Sequence, residues 1–302
     1  MTEQMTAKNK KKTPKPGILK PWTWGTKTPI VPVIRLTGAI GVSSPLRPGL
    51  SLSATAGVIQ KAFSVSGAKA VAIQINSPGG SPVQSNLIYT RIRALAEEKE
   101  LPVYVFCEDV AASGGYMLSI AGDEIYADRS SIIGSIGVIA AGFGFDKLIE
   151  KYGIERRVYT AGRNKMSLDA FQPQKQEDVD RLLKIQADVH ESFINMVKDR
   201  RGDKIKAPDD TVYTGEFWSG TQALEMGLID GISDLRTKMR EVFGEHVKLK
   251  VISQSKGLFG RMKFGSKLDG SNFDLSSLAG MGLADELISA LETRAMWSRY
   301  GF

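Results

Sequence analysis

Cysteine, histidine and long apolar runs are what this sequence has least of. A single cysteine, Cys107, stands in 302 residues, so no intramolecular disulfide can form. That usage fits a reducing compartment. No stretch approaches the roughly 18–20 uninterrupted apolar residues of a membrane span. No apolar run of roughly 7–15 residues follows the basic start, so no cleavable signal peptide is readable. Acids are scarce at the beginning. Residues 1–30 hold seven lysines (Lys8, Lys10, Lys11, Lys12, Lys15, Lys20 and Lys27) and one acid, Glu3. That segment carries +6 of the net +7, which leaves +1 for everything after it. A nearly neutral body makes a nucleic-acid groove on it unexpected.

What is present is an ordinary globular balance, 42% hydrophobic and 24% charged, in a chain long enough to bury a sizeable core. Residues 1–29 read as a basic flexible tail, 30–252 as the main domain, and 253–302 as a linker with a C-terminal amphipathic helix. The first expected strand is Ile30 to Leu36. A helix follows over 54–66. Ala70-Val71-Ala72-Ile73-Gln74-Ile75 and Pro102-Val103-Tyr104-Val105-Phe106-Cys107 are short apolar runs of the kind buried parallel strands show. A helix is expected between them over 83–99. Further strands are expected at Glu124 to Ala127, Ile132 to Ile139 and Arg156 to Thr160, and helices at 144–152, 174–201 and, with glycine punctuation, 214–240. Strand–helix alternation implies βαβ units in a mostly parallel α/β sheet with flanking helices. Leu283 to Tyr300 is amphipathic and suits docking on a neighbour, on its own subunit or on lipid.

Two glycine-rich turns carry the chemistry. Ala111-Ala112-Ser113-Gly114-Gly115-Tyr116 places a serine where a buried strand meets a helix N-terminus, among small residues that let a substrate backbone approach. The plain alternative is an N-capping serine. Asn76-Ser77-Pro78-Gly79-Gly80 ends the preceding strand, and glycines there can turn N–H groups toward a carbonyl oxygen. It is no phosphate loop, because no Gly-Lys-Ser/Thr follows. Hydrolysis also needs a base. His190 lies midway along the long helix and His246 in a Lys-flanked segment. Neither has a local cue for a Ser–His–Asp triad, although triads assemble in space. Lysine is the other option, if burial lowers its pKa from about 10.4 to roughly 7–8. Lys165 follows an expected strand in Thr160-Ala161-Gly162-Arg163-Asn164-Lys165-Met166. No metal site and no cofactor are expected.

Together these segments resemble the signal peptide peptidase A family of serine peptidases. The matching pieces are Asn-Ser-Pro-Gly-Gly at 76–80, Ala-Ala-Ser-Gly-Gly-Tyr at 111–116, Gly-Ser-Ile-Gly-Val at 134–138 and Gly-Arg-Asn-Lys at 162–165. Tyr-Thr-Gly at 213–215 and Ala-Leu-Glu-Met-Gly-Leu-Ile-Asp-Gly at 223–231 also match. The likeness covers roughly residues 30–240 in order. It implies a crotonase/Clp-protease-like fold and peptide substrates resembling signal peptides or short, unfolded chains. It implies Ser113 as nucleophile, Lys165 as general base, the N–H groups of Gly80 and Gly114 as oxyanion hole, and Ser135 as the group that orients the lysine. It further implies a homo-oligomer with shared active sites, in which the lysine can come from the same chain or from a neighbouring subunit.

With no membrane anchor readable, a cytoplasmic enzyme, peripheral to the inner face of the membrane, is the expected setting. The basic head and Lys256 to Phe264, which interleaves bases with aromatics, could meet an anionic surface. Two other readings stand beside this one. One is an acyl-CoA enzyme on the same fold, for which Glu108 and Asp109 are the local acid–base candidates. The other is a catalytically silent scaffold.

Overall fold

The protein's structure is a computed structural model that describes residues 28–42, 49–253 and 290–301. Most of the basic tail and of the 253–302 segment, including Lys256 to Phe264, lies outside the described residues. Eight strands form one sheet: β1 (Ile30–Thr37), β2 (Val71–Ser77), β3 (Val103–Ala112), β4 (Glu124–Ala127), β5 (Ile132–Gly134), β6 (Phe217–Ser219), β7 (Gly231–Ile232) and β8 (Lys248–Val251). The order is β6-β5-β3-β2-β1-β8, with β4 beside β3 and β7 beside β4. Every pairing is parallel except β5 with β6. The expected mostly parallel α/β sheet is therefore what the chain forms.

Apolar runs become central strands because both faces of a parallel sheet are covered. Ile34, Leu36, Ile73, Ile75 and Val105 pack on one face, with α1 (Leu52–Phe63), α2 (Pro82–Lys99) and α3 (Gly114–Ser119) contributing Ile59, Ile88 and Leu118. Val31, Val33, Ala72, Tyr104 and Phe106 point to the other face, where α8 (Leu235–Phe243) brings Met239. The alternation of residues 31 and 33 against 34 and 36 is the pleat read out in burial.

The register of β2 and β3 shifts between Ile75 and Ser77. Ile75 faces Cys107 and Ser77 faces Ala111, so β3 carries two extra residues there, Glu108 and Asp109. Asn76 bridges the irregularity. Its Nδ2 donates to Asp109 Oδ2 (2.7 Å) and its Oδ1 accepts from Val110 N (3.2 Å). Gln74 donates to Glu108 (2.9 Å). Past the shift, β3 leaves β4 and continues beside β5. This is how a strand that starts in the middle of the sheet delivers Ser113 to its carboxyl edge.

Several boundaries differ from expectation. Arg156 to Thr160 is not a strand. Those residues are exposed and have no strand beside them. The expected strand at Ile132 to Ile139 stops at Gly134, where φ is +103°, and Ser135 follows at +51°. The glycine-punctuated stretch 214–240 splits into β6, α7 (Gly220–Met226), β7 and part of α8. The short α4 (Asp146–Lys151) and the long α5 (Gln176–Arg201) are close to their expected spans. A helix over 290–298 is also present. Among the described residues no helix is long and apolar enough to cross a membrane.

Candidate active site

Ser113 stands at the N-cap position of α3, yet its side chain makes no capping hydrogen bond. The plain reading of this residue as a cap is therefore wrong. Its backbone is held at φ +52°, ψ −121°, a region in which a residue with a Cβ is strained by about 1–3 kcal/mol. Strain of that size persists only where neighbours hold it, and they are visible. Ser113 N donates to Gly134 O (2.8 Å), and Met117 N donates back to Ser113 O (3.0 Å). The hydroxyl is left at a half-buried position with nothing to cap.

The turn at 76–80 is locked against this serine. Ile40 N donates to Gly79 O and Ser81 N to Ile40 O, both 2.8 Å, and Gly79 N donates to Ser77 Oγ (3.2 Å). A Cβ on Gly79 would lie 2.8 Å from both Gly114 N and Ser113 Cβ, and φ there is +96°. A Cβ on Gly80, at φ +141°, would lie 2.1 Å from Ile40 O. Only glycine permits the two turns to meet this closely. Among the described residues, the N–H groups of Gly80 and Gly114 donate to no partner. Two free donors thus flank an uncapped serine. The helix behind them, α3, has only six residues, so its dipole adds little and the individual N–H groups matter most.

Ser135 joins the same neighbourhood, because it follows the Gly134 carbonyl that holds Ser113. It is buried, its N donates to Glu216 O (2.7 Å), and its Oγ accepts from the Tyr300 hydroxyl (3.3 Å). No sequence motif pointed to Tyr300, which lies 165 positions away.

Lys165 is elsewhere. It sits in an exposed loop where its N donates to Gly162 O (3.1 Å), and no hydrogen bond or ion pair links its ammonium to Ser113 or Ser135. The loop hangs on its own small cluster. Arg156 pairs with Asp169 (2.8 Å) and lies over the Phe171 ring (4.9 Å), and Phe171 packs on Phe145 (5.6 Å). Asp178 at the start of α5 accepts from Leu168 N (3.3 Å) and pairs with Arg181. Four of the five expected site residues are thus gathered, and the fifth is held apart.

Other candidates take structural roles. Glu108 and Asp109 accept from Gln74 and Asn76 at the register shift, which leaves the acyl-CoA reading without a free carboxylate pair. His190 Nε2 meets Ile136 O (3.0 Å). His246 lines a shallow depression with Arg236 and Arg240. Burial pushes the Cys107 thiol up to about 12, against a weak opposing contact with Ser119, so it is no nucleophile. Ala111, Ala112 and Met117 are buried in the core. Among the described residues no group of three His, Cys, Asp or Glu side chains could hold a metal ion.

Comparison with known proteins gives these features a context. The model of peptidase family S49 matches residues 95–250. A Na(+)/H(+) antiporter NhaA of Brucella abortus is 52% identical over 290 residues, which is 95% of this chain and 39% of that protein. The chloroplastic serine protease SPPA of Arabidopsis thaliana is 34% identical over 225 residues, covering 72% of this chain and 33% of that one. A protein of Synechocystis sp. named as a protease is 31% identical over 228 residues, covering 72% of this chain and 78% of it. The chain therefore spans about two-fifths of the first curated relatives it matches, 39% of each.

Proposed function

The chain belongs to peptidase family S49, and on that premise we propose that it is a serine peptidase with Ser113 as nucleophile and Lys165 as general base. Ser113 Oγ attacks the scissile carbonyl while the lysine amine accepts its proton. The N–H groups of Gly80 and Gly114 receive the oxyanion. The lysine then protonates the leaving amine, and water, deprotonated by the same group, releases the acyl-enzyme. Ser135 Oγ orients the lysine. The observation that carries this reading is the uncapped, strained Ser113 beside two free N–H donors. Preorganised donors of that kind are worth about 2.7–4 kcal/mol each in transition-state stabilisation.

The base arrives from a second copy of the chain. A lysine acts as a base near neutral pH only where it is desolvated, and the segment holding Lys165 is open. The same segment leaves Ile139, Phe143, Leu148, Tyr152, Ile154 and Tyr159 exposed to water, a run of large apolar side chains that a partner surface would cover. A neighbouring copy would cover that surface and carry the lysine onto Ser135 and Ser113. Substrates are short or unfolded peptides, including signal-peptide-like ones, since a shared, confined site admits extended chains. The antiporter name belongs to a protein of which this chain spans 39%, and no transport activity is proposed. A cytoplasmic setting at an anionic membrane face belongs to the same proposal, on the strength of the seven lysines before residue 30. Absence of sedimentation with anionic vesicles at low salt overturns its membrane part.

A serine-directed acylating probe tests the dyad. Wild type labels. Ser113→Ala loses labelling, and Lys165→Ala slows it by about 10²–10⁴-fold. Undiminished labelling in Ser113→Ala would remove that serine from its role, and undiminished labelling in Lys165→Ala would remove the lysine.

A further inference from the structure

We infer that Tyr300 is an intramolecular latch that occupies the place beside Ser135 which the incoming lysine must take. The inference rests on the dyad reading above. Tyr300 is the one buried residue in its segment. It is 7% exposed, while no other described residue of 290–301 is buried. Its hydroxyl donates to Ser135 Oγ (3.3 Å). Its ring meets Phe217 edge-on at 5.1 Å and packs with Val110 and Ala112, the last residues of β3 before Ser113. Ile132 and Trp297 close the cluster. A desolvated tyrosine needs a partner for its hydroxyl, and the partner here is the residue assigned to orient the base.

The two occupants compete. A serine hydroxyl has two acceptor lone pairs, so hydrogen-bond capacity alone would allow both a phenol and an ammonium. On this inference space is what limits them: the Tyr300 ring, packed against Val110, Ala112 and Phe217, takes the place beside Ser135 Oγ, and the lysine of a second copy would reach it only once Tyr300 has left. The latch is light. The helix over 290–298 is otherwise exposed or half-exposed, and the Tyr300 ring with its neutral hydrogen bond, helped by Trp297 beside it, holds it down. It can lift while the strands beneath keep their packing. An isolated copy is thereby held closed, and assembly, which supplies the lysine, opens it.

The test uses the full chain as wild type, Tyr300→Phe and Tyr300→Ala, across protein concentration. It reads the labelling rate of Ser113 by an acylating probe and the cleavage of an unstructured fluorogenic peptide. Tyr300→Ala is expected to label several-fold faster at low concentration and to reach half-maximal activity at a lower concentration. Tyr300→Phe, which keeps the ring, falls between it and wild type, and the three converge when assembly is complete. Rates unchanged or lower in both variants overturn the latch. So does a shifted pH profile at full assembly, which would make Tyr300 a positioning residue for Ser135. If Tyr300→Ala misfolds by circular dichroism, Tyr300→Phe decides alone, since it removes only the hydroxyl. Ser113→Ala separates the two failures. Labelling that survives in it defeats the dyad, whereas labelling that vanishes in it while the Tyr300 variants stay slow defeats only the latch.

Discussion

Around Ser113 the chain is packed as tightly as backbone allows; around Lys165 it is open. Gly79 approaches the serine so closely that one added carbon would collide with it, and the strands on either side are buried to their last residues. In the segment from 139 to 175, by contrast, Phe143 is 80% and Tyr159 92% exposed, and no strand is formed. On the proposed dyad, Ser113, its two donors and Ser135 are preorganised within one chain, and Lys165 is carried on an open part. Catalysis by positioned groups depends on geometry held before the substrate arrives, so under the proposal the two regions would divide the work, one fixing the reacting centre and the other making activity conditional on assembly.

The sharpest way to break this contrast is to split the dyad between two chains. Ser113→Ala and Lys165→Ala should each be inactive alone, by about 10²–10⁴-fold for loss of the base. Mixed under conditions that allow subunit exchange, they should regain peptidase activity, because one supplies an intact serine and the other an intact lysine. Random pairing across a head-to-tail interface would restore roughly a quarter of the sites. No recovery, with exchange verified by mass, would place both members of the dyad in one chain.

A smaller effect sets one glycine of each region against the other. Gly79→Ala introduces a carbon 2.8 Å from Ser113 Cβ at a φ of +96°, whereas Gly153→Ala, at φ +63°, meets nothing within 4 Å. Both carry some left-handed strain, but only the first displaces the nucleophile. A shift of about 1 Å at a reacting group costs about 10²-fold, so kcat should fall by that order in Gly79→Ala and stay within about a factor of two in Gly153→Ala. Equal kinetics for the two, with thermal melting to show both are folded, would mean the close approach at Gly79 does not position Ser113.

The same contrast explains which parts of the molecule were legible beforehand. β2 and the first half of β3 were plain, because continuous apolar runs have few other fates than a strand covered on both faces. The close approach of the two glycine turns was readable in their local pattern, whereas the roles of Ser113, Gly80 and Gly114 were given only by the family resemblance. Arg156 to Thr160 was misread as a strand. Its Val158 and Tyr159 suit strands, but strand propensity is satisfied only beside a partner, and none lies there. β8, Lys248-Leu249-Lys250-Val251, was missed for the opposite reason. Its charge hid a segment that pairs with the first half of β1. The Tyr300–Ser135 contact had no local signal at all, since nothing near either residue reports a partner 165 positions distant. The separation of Lys165 from Ser113 was likewise a matter of packing, which residue spacing does not encode.

The helix α5 joins the two regions, and acid should loosen the end of it that lies in the core. Arg201, 2% exposed, donates to Gly227 O (2.7 and 3.1 Å) and to Asp230 (2.9 Å), and Lys204 reaches Asp230 as well (2.8 Å). Burial alone would raise the Asp230 carboxyl, but the hydrogen bonds from Arg201 and Lys204 outweigh it and hold the group below its ordinary value. A carboxyl lowered on folding binds its proton more readily when unfolded. Its contribution is therefore complete above the unfolded value of about 3.9 and is lost as pH falls through the lower folded value, at about 1.4 kcal/mol per unit of difference. The melting midpoint of wild type should thus keep this pair's full contribution between about pH 7 and pH 5 and lose it below about pH 4. Asp230→Asn should melt lower at neutral pH and show a shallower acid fall, because the charge that acid would remove is already gone. Asp178, at the other end of the helix, pairs with a partly exposed Arg181, so Asp178→Asn should leave the core transition nearly in place while loosening the loop that carries Lys165. Hydrogen exchange would show this as faster exchange at the amides of 161–170 with the strand amides unchanged. Equal acid falls in wild type and Asp230→Asn would show that the core end of α5 does not depend on this pair.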